Sequence, residues 1–344
     1  MGMNFEALDW TRLDRLRALF LEGRFGSEPY WRDEADLEVY DATLGERIGW
    51  KWDAVLRELA LRHWSPPAGC ALWDWGCGSG VAGRRVVAAW PDAFSQVRIT
   101  DHASLAANFA ARRLRQEFPG LPVSTGTFAP SDAGDCVLCV SHVGNELAPE
   151  AAEALHQVAA SARAIIWVEP GTHAAARALQ QTRDRMVAEA GHWIVAPCTH
   201  QMGCGLLHPG NERHWCHHFA EPPPAIFANS DWVRFGRRAG VDLRAVPYAF
   251  LTSERGPRRG MSVEPPRLQR LLGSPRVYKG YARALLCGQD GVTKQEVPQR
   301  SAPKVYKDWS KERGGVLYET EPDPGRTGRV SRIDPWPRAT EWDA

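Results

Sequence analysis

The sequence predicts an α/β protein built on a parallel sheet. Between residues 70 and 190, short apolar stretches of strand character alternate with helical segments, and strands separated by helices form right-handed crossovers. A glycine-rich turn joins the first strand of this region to its first helix. The 344 residues are 44% hydrophobic and 24% charged, an ordinary globular composition that excludes a disordered or coiled-coil chain.

The chain begins with a helical region, because residues 5–64 repeat apolar side chains at three- and four-residue steps. Pro66 and Pro67 end this pattern, since proline cannot continue a helix. Each predicted strand of the following region is then followed by a helix or a turn. These strands are CALWDWG, VRITD, PVSTG, DCVLCVS and AIIWVE.

Residues 191–229 interrupt the alternation with histidine, cysteine, glycine and proline. A helix is predicted at 231–240, and strands are predicted at 243–253 and 276–287, on either side of a basic loop. The glycine, proline and charge after residue 313 predict a disordered tail. The expected regions are an N-terminal helical region (1–66), a Rossmann-like core (67–190), a cysteine-rich insertion (191–229), the final strands of the sheet with a basic face (230–313) and the tail (314–344).

The sequence shows no feature of a membrane or secreted protein. No apolar stretch approaches the roughly 18 residues of a membrane span, and the N-terminus lacks a signal-peptide pattern. Eight cysteines are too few for a disulfide scaffold in a chain of this length, so reduced thiols or metal ligands are expected. We therefore expect a cytoplasmic, monomeric protein with no membrane partner.

Positive charge is concentrated in one segment of a chain whose net charge is only +1. Residues 234–313 contain 18 basic and 7 acidic side chains, a net charge of +11. Such a segment is typical of a surface that binds a polyanion, although a solvated arginine-rich surface would look the same. Arginine favours phosphate, because its guanidinium group binds oxygens in pairs. The arginines expected to contact phosphates are Arg255, Arg258, Arg259, Arg267 and Arg270.

The glycine-rich turn runs from Asp74 through Gly76 and Gly78 to Gly80, and a helix follows at once. Glycines let the backbone approach a ligand closely, and the helix N-terminus presents free N–H groups. A G-x-G-x-x-G pattern also occurs, so a dinucleotide site is an alternative. Asp101, at the end of the second strand, suits ribose hydroxyls in either case. Asp74 favours the ammonium group of a methionine moiety, because a pyrophosphate gains nothing from a carboxylate there.

The predicted fourth strand ends in SHVGNEL (141–147), at the edge where open α/β sheets bind ligands. His142 and Glu146 are the candidates for cofactor contact or proton transfer. Glu146 could equally cap the next turn, and the sequence assigns no catalytic residue beyond these two weak candidates.

Three cysteines lie among five histidines between residues 198 and 218, in a polar stretch with no hydrophobic pattern. Clustered thiols in a reducing compartment usually hold metal, although no C-x-x-C pair is present. The cysteines are Cys198, Cys204 and Cys216, and Cys287 supplies a fourth thiol further along the chain.

Several of these motifs occur together in one known family. The D-x-G-x-G-x-G turn resembles motif I of class I methyltransferases, which bind S-adenosylmethionine. Over about residues 70–310 the chain resembles the small-ribosomal-subunit (Rsm-type) methyltransferase-like family, known from mitochondria and bacteria. The matching segments are WDWGCGSG (73–80), SHVGNEL (141–147), VEPGT (168–172) with Arg183 downstream, APCTH (196–200), WCHHF (215–219), Tyr248 and LLCGQDG (285–291).

The resemblance implies a class I methyltransferase fold and a [4Fe–4S] cluster on Cys198, Cys204, Cys216 and Cys287, since such a cluster requires four thiolates. Zinc is the alternative, because four thiolates also suit it. Two residues depart from the family pattern: Gly205 follows the second cysteine where proline is usual, and Thr199 replaces a common proline. Neither change removes a ligand.

The resemblance also implies a partner, the small-subunit ribosomal RNA or the assembling small subunit. Three functions follow. The first is an S-adenosylmethionine-dependent rRNA methyltransferase, with cofactor contacts from Asp74, the glycine turn, Asp101 and Glu146. The second is a non-catalytic RNA-binding assembly factor that retains the cofactor pocket. The third is a dinucleotide-dependent oxidoreductase, which the position of Asp74 disfavours.

Overall fold

The structure is a computed structural model that describes residues 4–22, 30–144, 146–256, 268–311, 316–323 and 326–332. The chain forms two compact units, each made of separate segments. The first unit contains Met1–Leu56, Pro66–Val168 and Ala220–Val246. The second unit contains Arg57–Ser65, Glu169–Phe219 and Pro247–Ala344.

Helices occupy the predicted N-terminal helical region. They are α1 (Trp10–Glu22), α2 (Glu34–Tyr40) and α3 (Glu46–Leu61), with one π-helical turn at Asp41–Gly45. The carboxylate of Asp36 is completely buried and accepts hydrogen bonds from Arg12 and Arg15 of α1. Two arginines therefore neutralise the buried charge and join the first two helices.

The first unit contains a parallel sheet in the strand order β3-β2-β1-β4-β5, with every neighbouring pair parallel. Apolar side chains bury the central strands on both faces, as in other parallel sheets. This confirms the predicted α/β fold with a central parallel sheet. The elements are β1 (Cys70–Trp75), α4 (Val81–Ala89), β2 (Phe94–Thr100), α5 (Ser104–Glu117), β3 (Val123–Thr125), β4 (Cys136–Ser141), α6 (Pro149–Ser161) and β5 (Ala164–Pro170).

The segment Glu169–Phe219 of the second unit contains α7 (His173–Ala190) and β6 (His192–Ala196). Strand β7 (His218–Ala220) follows. The next two helices, α8 (Ala225–Ala228) and α9 (Ser230–Ala239), belong to the first unit. Strand β8 (Val246–Arg255) pairs antiparallel with β6, and β7 also pairs with β8. Residues 191–229, predicted as a cysteine-rich insertion that interrupts the alternation, therefore contribute two strands, β6 and β7, to the sheet.

A separate antiparallel sheet completes the second unit. Its strands are β9 (Leu268–Tyr278), β10 (Tyr281–Gly288), β11 (Gly291–Pro298), β12 (Leu317–Asp323) and β13 (Arg326–Arg332), with α10 (Pro303–Trp309) between β11 and β12. Their order is β11-β10-β9-β12-β13. Leu271, Leu286, Trp309 and Tyr318 form the centre of its core.

This second sheet corrects three expectations. The stretch 276–287, predicted as one strand, is a hairpin that turns at Lys279 and Gly280. Its strands belong to the antiparallel sheet and are not the last strands of the parallel one. Strands β12 and β13 lie within the tail predicted to be disordered, and the rest of that tail lies outside the described residues.

Candidate functional site

The glycine-rich turn lies at the carboxyl end of β1, the central strand of the parallel sheet. The chain crosses to β2 on one side of β1, whereas β4 lies on its other side, so the turn occupies the switch point at which open α/β sheets bind ligands. Gly78 has a φ of +52°, and a β-carbon built there would meet nothing within 4 Å. Its backbone therefore faces open space, as a ligand-binding turn requires.

Asp74 lies beneath this turn and is completely buried. Its Oδ2 atom accepts a hydrogen bond from the Gly83 N–H of α4 at 3.1 Å. Its Oδ1 atom is buried without a hydrogen-bond partner among the residues that the structure describes. Burial raises the pKa of this carboxyl to about 7, against the lowering effect of the Gly83 N–H. The Oδ2 atom of Asp74 thus binds the first turn of α4, while its Oδ1 atom is available to a buried cationic donor.

Asp101, at the carboxyl end of β2, fixes the shape of the turn. Its Oδ2 atom accepts a hydrogen bond from the Gly78 N–H at 2.9 Å, and its Oδ1 atom accepts one from the Ala103 N–H at the same distance. A carboxylate has about four lone-pair positions, and the remaining ones face weaker or exposed groups, the Cys77 thiol 4.0 Å from Oδ2 and the exposed His102 Nδ1 3.2 Å from Oδ1. The sequence placed this residue correctly at the turn, and the ribose contact stays a prediction.

The carboxyl end of β4 brings Ser141 and His142 to the same edge of the sheet. Ser141 Oγ accepts a hydrogen bond from the Trp52 indole N–H at 2.9 Å. His142 Nε2 lies 3.3 Å from the Lys51 ammonium nitrogen, and its backbone has a φ of +60°. Both partners come from α3, so this helix orients the side chains at the end of β4.

The surroundings of His142 disfavour its charged form. Its pKa is well below the ordinary value, because burial opposes the charged ring and the cations of Lys51 and Arg47 repel it. A neutral imidazole can accept a proton, but a strongly lowered pKa makes it a weak base at neutral pH. The geometry therefore suits His142 to hydrogen bonding with a ligand better than to general-base catalysis.

Glu146 is in a tight turn after β4, where its backbone N–H donates to the Val143 carbonyl at 3.0 Å. Its negative charge adds to the effect of burial in raising the pKa of Tyr30 and of Tyr40. Its backbone fits the turn interpretation, and its side-chain role as a cofactor contact stays a prediction.

All four of the singled-out cysteines line one cavity of the second unit. The cavity has a volume of about 40 Å³, far below the roughly 300 Å³ of even a small ligand pocket, so it suits an ion or a compact cluster. Arg183 and His200 share the lining, and each has one buried nitrogen with no partner among the described residues. The cysteines are Cys198, Cys204, Cys216 and Cys287.

The thiols of this cavity influence one another. Burial and the neighbouring Cys198 together raise the pKa of Cys204 to about 12. The pKa values of Cys216 and Cys287 are raised for the same two reasons. Buried thiolates in one cavity require compensating positive charge.

A buried trio of charges fixes the chain just before Cys198. The Arg62 guanidinium donates to the carbonyl oxygens of Val195 at 2.6 Å and Pro197 at 3.0 Å. Arg270 donates to the same Pro197 carbonyl at 2.6 Å, and both arginines pair with Glu58. Arg270 is only 2% exposed, so the expectation that it contacts RNA phosphates is wrong. Its charge is already used inside the protein.

Polar side chains of α7 hold the rest of the cysteine segment. Arg177 donates to the carbonyls of Leu206, Asn211 and His214, and Arg183 donates to the His200 carbonyl at 3.0 Å. The Asp184 carboxylate accepts the Cys204 N–H at 3.0 Å. Hydrogen bonds from one helix therefore position a segment that lacks a hydrophobic pattern.

The two departures from the family pattern have structural explanations. A β-carbon on Gly205 would lie 2.6 Å from the Gly291 α-carbon, at the turn between β10 and β11, so this position requires glycine. The Thr199 hydroxyl donates to the Leu268 carbonyl at 3.0 Å. Both residues tie the cysteine segment to the antiparallel sheet that carries Cys287.

Among the residues described, no three histidine, cysteine or acidic side chains are placed to hold a single metal ion. A tetrahedral zinc site requires four ligands about 2.0–2.3 Å from one centre. A [4Fe–4S] cluster instead takes one thiolate at each of four irons, so its thiolates stand further apart around a larger group. Four cysteines that line a common cavity are the ligand set that both a zinc ion and a [4Fe–4S] cluster use.

Comparison with family models matches residues 60–318 to one described as "Mitochondrial small ribosomal subunit Rsm22". The match includes the glycine turn and all four cysteines of the cavity. The chain belongs to the Rsm22 family. The description of this family names mitochondria, which does not fit the plain cytoplasmic location predicted above. None of the helices in the described ranges is long and apolar enough to span a bilayer.

Comparison of this Rsm22-family chain with curated proteins found no match. Solved structures give weak similarities to several methyltransferases. The plantazolicin methyltransferase BamL, in complex with SAH, superposes with a TM-score of 0.40 and 10% identity, over 74% of this chain and 100% of that chain. A precorrin-6y C5,15-methyltransferase from Geobacter metallireducens has a TM-score of 0.34 and 13% identity, over 59% and 87%. A SAM-dependent methyltransferase from Aquifex aeolicus has a TM-score of 0.34 and 11% identity, over 48% and 90%.

The basic loop of the Rsm22 chain is described only at its edges. Arg255 is half-buried at the end of β8, and Arg258, Arg259 and Arg267 lie outside the described residues. Their contact with phosphate stays a prediction.

Sequence reasoning missed the partners that orient both sites of this Rsm22-family protein. Lys51 and Trp52 face the end of β4, and Glu58 and Arg62 hold the Cys198 segment. The available signal was a charged residue on an otherwise apolar helical stripe, since Glu58 near the end of α3 and Arg62 just after it are four positions apart.

Proposed function

We propose that this protein binds S-adenosylmethionine and acts as a methyltransferase on small-subunit ribosomal RNA. The observation that carries the proposal is the buried Asp74 Oδ1 atom, which has no partner among the described residues beneath an open glycine turn. The α-ammonium group of a methionine moiety would supply the missing donor. A buried polar atom without a partner costs about 1–3 kcal/mol, so the ligand would relieve that cost.

A dinucleotide would not satisfy the same arrangement. Its pyrophosphate is anionic, whereas the buried group beneath the turn is the carboxyl of Asp74. Coulomb repulsion between like charges in a buried site is several-fold stronger than in water. The oxidoreductase alternative therefore has no support in the charge of the site.

S-adenosylmethionine, when bound, supplies an activated methyl group. The chain's own residues would bind and orient this cofactor. Asp74 would neutralise the ammonium, Asp101 would accept hydrogen bonds from ribose hydroxyls through its remaining lone pairs, and Gly78 would let the cofactor lie against the backbone. Glu146 and His142 would border the space for the acceptor nucleotide at the end of β4.

One observation favours a second function: the polar side chains at the end of β4 already have hydrogen-bond partners within the protein. The side chains of Lys51 and Trp52 already form hydrogen bonds with His142 and Ser141. The lowered pKa of His142 also makes it a weak base. A pocket without a competent base can bind cofactor without turnover. On this alternative the protein is an assembly factor that binds precursor RNA and uses the cofactor to set its conformation.

We also propose that Cys198, Cys204, Cys216 and Cys287 hold a [4Fe–4S] cluster. The support is the cavity that all four cysteines line and the buried arginines around it. Arg183 borders the cavity directly, and Arg62 and Arg270 together outweigh the one charge of Glu58. Net positive charge is what a cluster with four thiolate ligands needs.

The proposed partner is the small ribosomal subunit, because the family description names it. We propose that the protein binds it as a monomer, in the mitochondrial or corresponding bacterial compartment.

Binding and turnover are tested separately. Protein purified without oxygen is titrated calorimetrically with S-adenosylmethionine, with its demethylated product and with NADH. Methyl transfer is then measured with radiolabelled cofactor and small-subunit RNA stripped of modifications. Cofactor binding with methyl transfer supports the enzyme, and binding without transfer supports the assembly factor. Binding of NADH alone would overturn both.

A further inference from the structure

The antiparallel sheet of the second unit has a connectivity that none of the functions above uses. Strands β9, β10 and β11 form a meander, α10 follows, and β12 and β13 form a hairpin. The first strand of the set, β9, pairs with both β10 and β12, and β13 also contacts β11. This connectivity of a meander, a helix and a hairpin resembles that of the OB-fold, a five-stranded, partly open Greek-key barrel whose second and third strands bind oligonucleotides.

The fold alone does not identify a ligand, so the ligand must be inferred from the side chains on the outer face of this sheet. Along β10, Ala282, Ala284 and Leu286 point into the core, and the alternate residues point outward. One end of the outer face is covered: Leu272, Leu285 and Cys287 pack with Cys204 and Leu206. The opposite end is open, and Arg276 and Tyr278 of β9 are exposed there.

The open end carries a pair of stacked aromatic rings. Tyr278 and Tyr281 are opposite each other in the hairpin, with ring centroids 4.8 Å apart and planes 12° from parallel. Tyr278 is 37% exposed, so one face of the stack is accessible to solvent. Every base has a π-face, and stacking on an aromatic side chain binds single-stranded nucleic acid without sequence preference.

Cations surround this stack. Arg283 lies 5.7 Å from the centroids of both rings, and Arg276 is its direct cross-strand neighbour. Lys279 in the turn and Lys294 on β11 are exposed on the same part of the sheet. The acidic side chain facing them is Glu296, which pairs with Arg283 at the surface. An exposed ion pair is worth at most about 1 kcal/mol, so a phosphate can displace it.

The Cys216 segment extends the same surface. A β-carbon on Gly273 of β9 would lie 3.5 Å from the His217 ring, so this segment packs against the start of the open end. The Trp215 and His217 rings are themselves stacked, with centroids 4.8 Å apart. Aromatic and cationic groups therefore continue from the hairpin towards the cysteine cavity.

We propose that the open end of this outer face binds single-stranded RNA, with bases stacked on Tyr278 and Tyr281 and phosphates held by Arg276, Lys279, Arg283 and Lys294. The choice of RNA rests on the proposed function, whereas the stacking surface does not depend on cofactor binding. Unlike the predicted arginine contacts of the basic loop, this surface requires unpaired bases. It therefore discriminates between single strands and duplexes.

The test is fluorescence anisotropy of the intact protein with a fluorescein-labelled 12-nucleotide oligouridylate. Tyr278→Ala and Tyr281→Ala should each weaken binding about 5- to 150-fold, the range for loss of one stacked base. Tyr278→Phe should bind like the wild type, because the ring remains. Phe227→Ala is the matched control, since Phe227 is 50% exposed on α8 of the first unit. Arg276→Gln should lower the slope of log affinity against log salt by about 0.7.

Competition and a parallel cofactor titration complete the test. An unlabelled oligouridylate should displace the probe at a much lower concentration than an RNA duplex of the same length, and oligothymidylate should reveal whether the 2′-hydroxyl contributes. Wild-type affinity of the Tyr278→Ala/Tyr281→Ala variant, or equal competition by the duplex, would overturn the proposal. S-adenosylmethionine binding without oligonucleotide binding defeats this proposal alone, and the reverse result defeats the cofactor proposal alone.

Discussion

Glu58 and Arg270 form a buried ion pair between residues 212 positions apart in the sequence. Glu58 lies near the end of α3 and Arg270 near the start of β9, and both also contact groups that hold the Cys198 segment. The pair therefore joins three separate parts of the second unit around the cysteine cavity.

Replacing Glu58 by glutamine should lower the free energy of unfolding by about 3–5 kcal/mol, because two buried guanidinium groups would lose their counter-charge. Urea titration of the iron-free protein measures the change. Glu189→Gln is the control, since Glu189 is an exposed partner of Arg185 and its loss should cost about 0.5 kcal/mol or less. Equal effects of the two changes would contradict a structural role for the trio.

Cofactor affinity should depend on pH through Asp74, whose pKa burial raises to about 7. Below that pH the carboxyl keeps its proton, and binding a cationic ammonium must first remove it. The Kd for S-adenosylmethionine should therefore fall as pH rises from 5.5 to 7, by up to about tenfold per unit. Asp74→Asn should bind weakly and without this dependence, whereas the exposed Asp92→Asn should retain it.

The same group should affect stability in the absence of ligand. A carboxyl with a raised folded-state pKa stabilises the protein fully below its unfolded pKa, and this contribution is lost as pH rises towards 7. Asp74→Asn should therefore melt several degrees above the wild type at pH 7.5 and near it at pH 4, at about 2–4 °C per kcal/mol. A difference in melting temperature that is constant with pH would show that Asp74 is ionised when folded.

Serine at any one of Cys198, Cys204, Cys216 or Cys287 should remove most of the iron from protein prepared without oxygen and lower its thermal stability. Cys136→Ser and Cys139→Ser are the controls, because both thiols are buried in β4 and do not line the cavity. Iron analysis and visible absorption give the result. A colourless preparation with one zinc per chain would replace the cluster by a zinc site.

Charge reversal at Arg258 and Arg259 should weaken binding of small-subunit RNA and reduce its salt dependence, because each lost phosphate contact removes somewhat less than one unit of slope. The same reversal at Arg270 should unfold the second unit instead, since that side chain is buried against Glu58. Filter binding over a salt series distinguishes the two outcomes. Unchanged binding by the double variant would leave the loop as solvated surface.

The sequence predicted those parts of the fold that depend on local patterns. The alternation of apolar strands and helices from β1 to α7 fixed the sheet, and the Asp74–Gly80 turn located its switch point. Glycine adopts positive φ values because it has no side chain, so the turn can be predicted from its glycines without knowledge of distant neighbours.

Features that depend on distant neighbours could not be read in this way. The hairpin at Lys279 and Gly280 lies inside a run of apolar and aromatic residues with no other break, so it reads as one strand. An arginine such as Arg270 is expected at the surface, and only the fold brings it to Glu58. The resemblance, not the spacing, placed Cys287 with the other three cysteines.

The segmented make-up of the two units has a consequence for synthesis of the chain. Cys216 and Cys287 are 71 positions apart, and the antiparallel sheet that places Cys287 at the cavity is completed still later in the sequence. At about 5–20 residues per second, roughly 4–14 s separate the emergence of these two cysteines from the ribosome. During that interval three thiols are exposed to oxidants before the fourth arrives. The proposed cluster is therefore expected to load only after Cys287 has emerged from the ribosome, and slow translation between codons 217 and 287 should lower the yield of loaded protein.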